Sequence, residues 1–459
     1  MERQRLLWGL TALCILVICT VSLIFPGARF SFLIPAAFIS GFLIFYTYNI
    51  CPFKTPGGTA ILISGYTLVV CGIIININYF TFGSGGTFYC PVLENVDSLT
   101  DWSRAMNRLD GDTLPDRPIM GTRYYSYVIQ WMSFIFGRDI GCPLMFNALC
   151  YSLTIILFGA ITYRLTKDKT ISTITMGIGT LMCYLMVQAT VLIKDVPLTM
   201  CVAGCVYIMV KWRENNHSAI WEIILFIVSA IGISFLRANF LLMLLLGTII
   251  LGIRHNGIDM RFIWIAGCEF LLFVIMHTFF HFPSVATNVD IHYGTGVFVH
   301  NQNVAAWDNM LSQDYEVMSV WKRIVWLPAS IIVQFLIPFP WNFSRDMIFG
   351  PTEAVAHFGY FWYYAGAILI YWLFDAQKNS PITMRLSVLW GILLTVATAY
   401  MTSGRVSRYC LPYLPMLLPA VGYTLYYYKS RKSFRIWICV FTVLLIPVLI
   451  ICHHLQTTA

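Results

Sequence analysis

The chain has 459 residues, of which 58% are hydrophobic and only 11% charged. An ordinary soluble domain carries about 25% charged residues, so a water-coated globule, a nucleic-acid binder and a disordered chain are all excluded. The net charge of +8, from 29 Lys/Arg against 21 Asp/Glu, matters through its placement along the chain rather than its total.

Apolar stretches of membrane-spanning length recur from Leu6 almost to the C-terminus. They lack the ten-residue alternation of an outer-membrane barrel. The expected fold class is therefore an all-α polytopic membrane protein. In chain order, spans are predicted near 6–25, 31–49, 58–80, 143–163, 171–190, 196–212, 219–236, 238–253, 262–280, 357–374, 384–402, 409–427 and 434–452. Arg3 and Arg5 precede the first run and no small-residue cleavage site follows it, so it reads as a retained span rather than a signal peptide. Two further apolar segments, 122–137 and 324–338, are short and carry charges or prolines at their ends. Whether these two cross the bilayer is left open by their length.

Charge asymmetry favours about 13 spans with a cytoplasmic N-terminus, the two short segments lying half-inserted or on the surface. The connections holding Lys54, Arg164/Lys167/Lys169, Lys211/Arg213, Arg254/Arg261, Lys378/Arg385 and Lys429/Arg431/Lys432/Arg435 then all face the cytoplasm. A full span at 324–338 alone would force the last cluster outside. Two long external loops follow, roughly 81–142 and 281–356. The chain divides into an N-terminal extra pair (1–57), a transmembrane core (58–280) holding the first loop, a second loop with an interfacial segment (281–356), and the C-terminal helices (357–459). Long loops gathered on one face of a bundle are where function is expected.

The 14 cysteines lie mostly inside apolar runs, where Cys acts as a small hydrophobe, and none has zinc-site spacing. No metal and no cofactor is expected. Cys90 and Cys142 share an external loop region in which a disulfide is open to them.

Residues 94–118 read ENVDSLTDWSRAMNRLDGDTLPDRP. Asp97, Asp101, Arg104 and Arg108 fall on one helical face, with Leu99, Trp102, Met106 and Leu109 opposite. That predicts a short amphipathic helix at the membrane surface, holding acids and bases at headgroup level. Asp110-Gly111-Asp112 supplies the turn that ends it. A plainer reading stands beside this one: Asp97-Ser98 caps the helix, with Asp101 completing a loose capping box. The Asp/Arg spacings are also those of an ordinary solvated face.

Other charges return to the same external layer: Lys194 in Lys194-Asp195-Val196-Pro197, Arg237 in SFLRANF, and Arg405 and Arg408 in TSGRVSRYCLPYLP. One arginine at such depth is explained by snorkelling. Several converging on one layer suggest a pocket for a phosphate at the membrane surface. Glu269 lies mid-span, where a partner on a neighbouring helix is expected. Pro338-Phe339-Pro340-Trp341 reads as a rigid interfacial corner.

Asp97, Trp102, Ala105, Gly111, Arg117-Pro118, Tyr124-Tyr125 and Phe136-Gly137 occur in an order that resembles the GT-C superfamily of membrane glycosyltransferases. LRANF around Arg237 and RYCLPYLP from Arg408 are similar to later segments of the same group. That group includes the dolichyl-phosphate-mannose protein mannosyltransferases and the lipid A aminoarabinose transferase. The resemblance implies sugar transfer from a polyprenyl-phosphate-linked donor to a glycan, lipid or protein acceptor on the external face. It implies Asp97 as general base and Arg237, Arg405 and Arg408 as phosphate-binding residues, with Lys194, Arg117 and Arg123 as further candidates. Asp101, Trp102, Glu94 and Tyr124 are the candidates for acceptor or loop contacts.

The absence of a Gly-rich phosphate loop agrees with a lipid-borne donor rather than a nucleotide sugar. A polysaccharide polymerase or ligase acting on lipid-linked glycans remains a rival reading. A flippase remains another, although no repeat suggests the inverted halves of a transporter. The single external sequon, Asn342-Phe343-Ser344, and the lack of a retention signal point to a bacterial inner membrane.

Overall fold

A computed structural model describes residues 2–24, 30–78, 96–111, 125–215, 219–237, 239–255, 257–280, 324–325, 327–328, 331, 360–402 and 407–458. The described chain is almost wholly helical, the one sheet being a two-residue hairpin, Ile253–Arg254 against Gly257–Ile258. Among the described residues, seven helices are long and apolar enough to cross a membrane. They are α1 (Glu2–Ile24), α3 (Pro56–Asn78), α6 (Gly141–Thr166), α9 (Asp195–Glu214), α10 (Ile220–Arg237), α14 (Ile382–Thr402) and α16 (Lys432–Thr458). Shorter apolar helices lie within α2 (Phe30–Asn49), α11 (Asn239–Gly252) and α13 (Tyr360–Phe374). The remaining helices are α4 (Val96–Leu109), α5 (Tyr125–Phe136), α7 (Lys169–Thr180), α8 (Cys183–Ala189), α12 (Met260–Phe280) and α15 (Leu414–Tyr428).

The bundle is organised around α6 and α9, each 78% buried along its apolar window. Helix α9 packs on α6, α10, α11 and α15, while only 6% of α1 and 11% of α16 is covered by protein. Lipid is as apolar as a leucine side chain, so close approach between helices rather than hydrophobic burial holds such a bundle together. Small residues provide that approach. A Cβ added to Gly179 would collide with Phe158, and Gly204 lies against Ser229.

One segment differs from the hydropathy reading. The apolar run 171–190 is two helices rather than one: α7 ends at Thr180, after two glycines of low helix propensity, and α8 restarts at Cys183. Segment 122–137 contains α5, whose 12 residues rise only about 18 Å and fall short of the roughly 30 Å hydrocarbon layer. It buries Tyr125, Ser126, Ile129 and Ser133 and exposes Trp131, Phe134 and Ile135, as a half-inserted helix would. Apart from residues 324–325, 327–328 and 331, the second long loop lies outside the described residues, as do the Pro338–Trp341 corner and Cys90.

Antiparallel connections put the 51–55, 167–168, 253–259, 375–381 and 429–431 turns at one end of the bundle. The α4–α5 pair, the start of α9 and the α10–α11 corner lie at the other. The first end is tied by Arg213, which is 5% exposed and donates to the carbonyls of Leu251 and Ile253 and to Thr383 Oγ1. Lys211 pairs with Glu222, whose second oxygen accepts from Trp212 Nε1 at 3.0 Å. Thus the C-terminal turn of α9 is fixed to α10, α11 and α14, which sets the height of its N-terminal turn at the opposite end.

Candidate functional site

Helix α4 begins at Val96, so the backbone of Asp97 and Ser98 lies in its first turn. Gly111, at φ +81°, closes the helix as the Asp-Gly turn predicts, and Asp110 pairs with Arg138 at 2.5 Å. The expectation of a solvated row of acids and bases is corrected one turn further on: Asp101 is 2% exposed and Ala105 fully buried. The reason is α5, which packs against α4 and covers the face that spacing alone assigns to water. Arg108 donates to Ser126 Oγ at 2.8 Å and lies 3.8 Å over the Tyr127 ring. Trp102 and Met106, on the other side, pack partly into the core. Both faces of α4 are engaged.

The stretch after α8 builds the floor of this corner. Residues Thr190 to Lys194, between α8 and α9, are non-helical and all 5% exposed or less. Buried irregular backbone in a membrane protein needs partners within the protein. Asn76 of α3 donates to Thr190 Oγ1 at 3.0 Å and to the Thr190 carbonyl at 3.3 Å. Asn147 of α6 donates to the carbonyls of Val191 and Ile193 at 2.8 and 3.1 Å. Its amide oxygen accepts from Tyr125 at 2.9 Å, which ties α5 to the same floor. Burial pushes the Tyr125 phenol well up, the Cys150 thiol adds to this, and so do the negative charges of Asp101 and Asp195. One tyrosine therefore feels an acid from α4 and an acid from α9.

Lys194, 5% exposed, ends the floor, and Asp195 opens α9. Arg237, in the last turn of α10, places a guanidinium nitrogen 3.8 Å from Asp195 and its centre 5.8 Å from the Phe240 ring. Phe240 in turn stacks on Tyr413 at 6.2 Å. Tyr413 closes the 3-10 helix Ser407–Tyr413, which packs on α9 and carries Arg408 in its backbone. Phe240 and Tyr413 pack with Val202, Met243, Leu244 and Trp390 around a water-sized apolar gap. Asp101, Lys194 and Arg237, dispersed over 137 positions of sequence, are thus gathered at one end of the bundle, with Asp97 one turn from Asp101. Glu94, Arg117, Arg123, Tyr124 and Arg405 lie outside the described residues.

Sequence reasoning missed Asn76, Asn147 and the pairing role of Asp195. Asparagine in the middle of an apolar run was the available signal, since an amide at membrane depth needs a partner. Glu269 has the neighbour expected of it: Thr248 Oγ1 donates to it at 2.9 Å. Among the described residues no three His, Cys, Asp or Glu side chains are grouped as metal ligands.

These features define an all-α membrane protein with a buried corner of charged side chains at one end, floored by the non-helical 190–194 stretch. No protein-family model, curated protein or solved structure matches the chain.

Proposed function

We propose that the protein is an inverting glycosyltransferase that moves a sugar from a polyprenyl-phosphate-linked donor to an acceptor hydroxyl on the external face. In this reading the chain makes thirteen spans from a cytoplasmic N-terminus in a bacterial inner membrane. The observation that carries it is that α5, the 190–194 floor and the Asp195–Arg237 pair meet at the end of the bundle where α4 lies, Tyr125 reaching the floor through Asn147.

Asp97 takes the proton of the acceptor hydroxyl as its oxygen bonds to the anomeric carbon. The bond from that carbon to the phosphate oxygen breaks on the opposite face, and its electron pair leaves with the polyprenyl phosphate. Arg237, Lys194 and Arg408 stabilise the charge that builds on the departing phosphate. Arg405, Arg117 and Arg123 are the further candidates for that role, and Trp102, Glu94 and Tyr124 for acceptor contacts.

The test is transfer of radiolabelled sugar from a panel of polyprenyl-phosphate donors by purified protein. Wild type should transfer one of them, and Asp97→Asn should lose at least about 100-fold while keeping its thermal midpoint. Transfer that survives Asp97→Asn assigns the base elsewhere. No transfer from any monosaccharide donor, with joining of whole lipid-linked oligosaccharides, would replace this reading by a polymerase or ligase.

A further inference from the structure

At the end of the bundle remote from Asp97, four cations pair with carboxylates: Lys167 with Glu214 at 2.7 Å, Lys211 with Glu222, and Arg261 and Arg254 with Asp259 at 2.7 and 3.5 Å. A group of six others, Lys378, Arg385, Lys429, Arg431, Lys432 and Arg435, is exposed. Among the described residues none of these six is within ion-pair distance of a carboxylate.

The six come from two connections, α13–α14 and α15–α16, that the fold fastens together. Asn379 donates to Tyr428 Oη at 2.9 Å and accepts on its carbonyl from Tyr423 at 2.8 Å. Tyr371 and Ser433 share a hydrogen bond of 2.9 Å, and the Arg431 guanidinium lies 4.3 Å over the Tyr428 ring. The nearby acid, Asp375, accepts the Tyr371 hydroxyl at 2.9 Å. Orientation in the membrane requires cations on this side, but it does not require six of them gathered in one fastened corner with no carboxylate at ion-pair distance among the described residues.

We propose that this corner binds the phosphate headgroup of an anionic phospholipid. Clusters of four to eight Lys/Arg at the end of a membrane helix attract anionic headgroups by about 1 kcal/mol per cation, and basic pockets between helices hold them. A free soluble anion is disfavoured by what lies below the cations. From Lys432 and Arg435 the helix continues with Ile436, Val440, Val443 and Leu444, which are 52, 44, 66 and 59% exposed. Headgroup and acyl chains of one lipid therefore meet matching surface on one helix. The proposal is independent of the glycosyltransferase reading.

Native mass spectrometry of the purified protein with added phosphatidylglycerol or phosphatidylcholine tests it. Wild type should retain phosphatidylglycerol, and Arg431→Gln/Lys432→Gln should weaken retention about tenfold or more. Lys54→Gln/Lys167→Gln removes the same charge at the same end and should change it less than twofold. Glycerol 3-phosphate at millimolar concentration should not compete. Equal retention of the two lipids, equal loss in both double variants, or displacement by glycerol 3-phosphate would each overturn the proposal. All four positions are exposed, so both proteins should fold.

Discussion

The Asp195 carboxylate lies 3.8 Å from the Arg237 guanidinium and joins the first turn of α9 to the last turn of α10. Asp195 is 1% exposed and Arg237 remains within reach of the corner's surface, at 18% side-chain exposure. One partner is therefore fixed and buried, and the other is aimed by it.

Breaking a buried pair from one side leaves an uncompensated charge, at a cost of about 3–5 kcal/mol. Asp195→Ala should lower stability by about 3 kcal/mol in chemical unfolding of the detergent-solubilised protein. Asp195→Ala/Arg237→Ala should lose less than the sum of the single changes, by 1 kcal/mol or more as an order of magnitude. Strict additivity would show that the two side chains do not interact.

Asn147 makes three hydrogen bonds, to Tyr125 and to the Val191 and Ile193 carbonyls. Asn147→Leu preserves volume and orphans two buried carbonyls, at about 1–3 kcal/mol each. Hydrogen exchange across 190–195 should accelerate while the turns at the far end keep their protection. Unchanged exchange there would mean that the floor is held by packing alone.

Arg213 donates through both its Nε and a terminal nitrogen to three acceptors on α11, the hairpin strand and α14. A lysine keeps the charge but cannot reproduce that planar fork. Arg213→Lys should cost about 2 kcal/mol, read as a fall in thermal midpoint. A midpoint within error of wild type would remove Arg213 from the account of how α9 is anchored.

Asp259 accepts hydrogen bonds from the Arg261 side chain at 2.7 and 3.1 Å and from its backbone N–H at 3.1 Å. Those side-chain bonds, opposed by partial burial, hold the Asp259 carboxyl down at about 2. A depressed carboxyl contributes stability that is present above its unfolded value near pH 4 and disappears as pH falls towards 2. Because Arg261 is 41% exposed, solvent screening reduces the contribution to about 1 kcal/mol. The stability difference between wild type and Asp259→Asn should be full at pH 6 and shrink between about pH 4 and pH 2. A difference independent of pH would contradict the assignment.

The membrane character of the chain was legible from hydropathy alone, because a span announces itself by length and apolarity within one continuous stretch. The Asp-Gly turn after α4 and the start of α9 at Asp195 were legible for a similar reason: turn and helix-end chemistry is local. The burial of Asp101 was not, since spacing describes a face of α4 and says nothing of α5 coming to cover it. Nor was the break at Leu181–Met182, where an unbroken apolar run conceals a change of backbone. The Asp195–Arg237 pair, the Asn147 bonds to the 191–193 floor and the Asn379–Tyr428 bond all link residues from different elements. Side-chain period along one helix carries no information about such partners. They were decided when packing around α6 and α9 brought separate helix ends to one level.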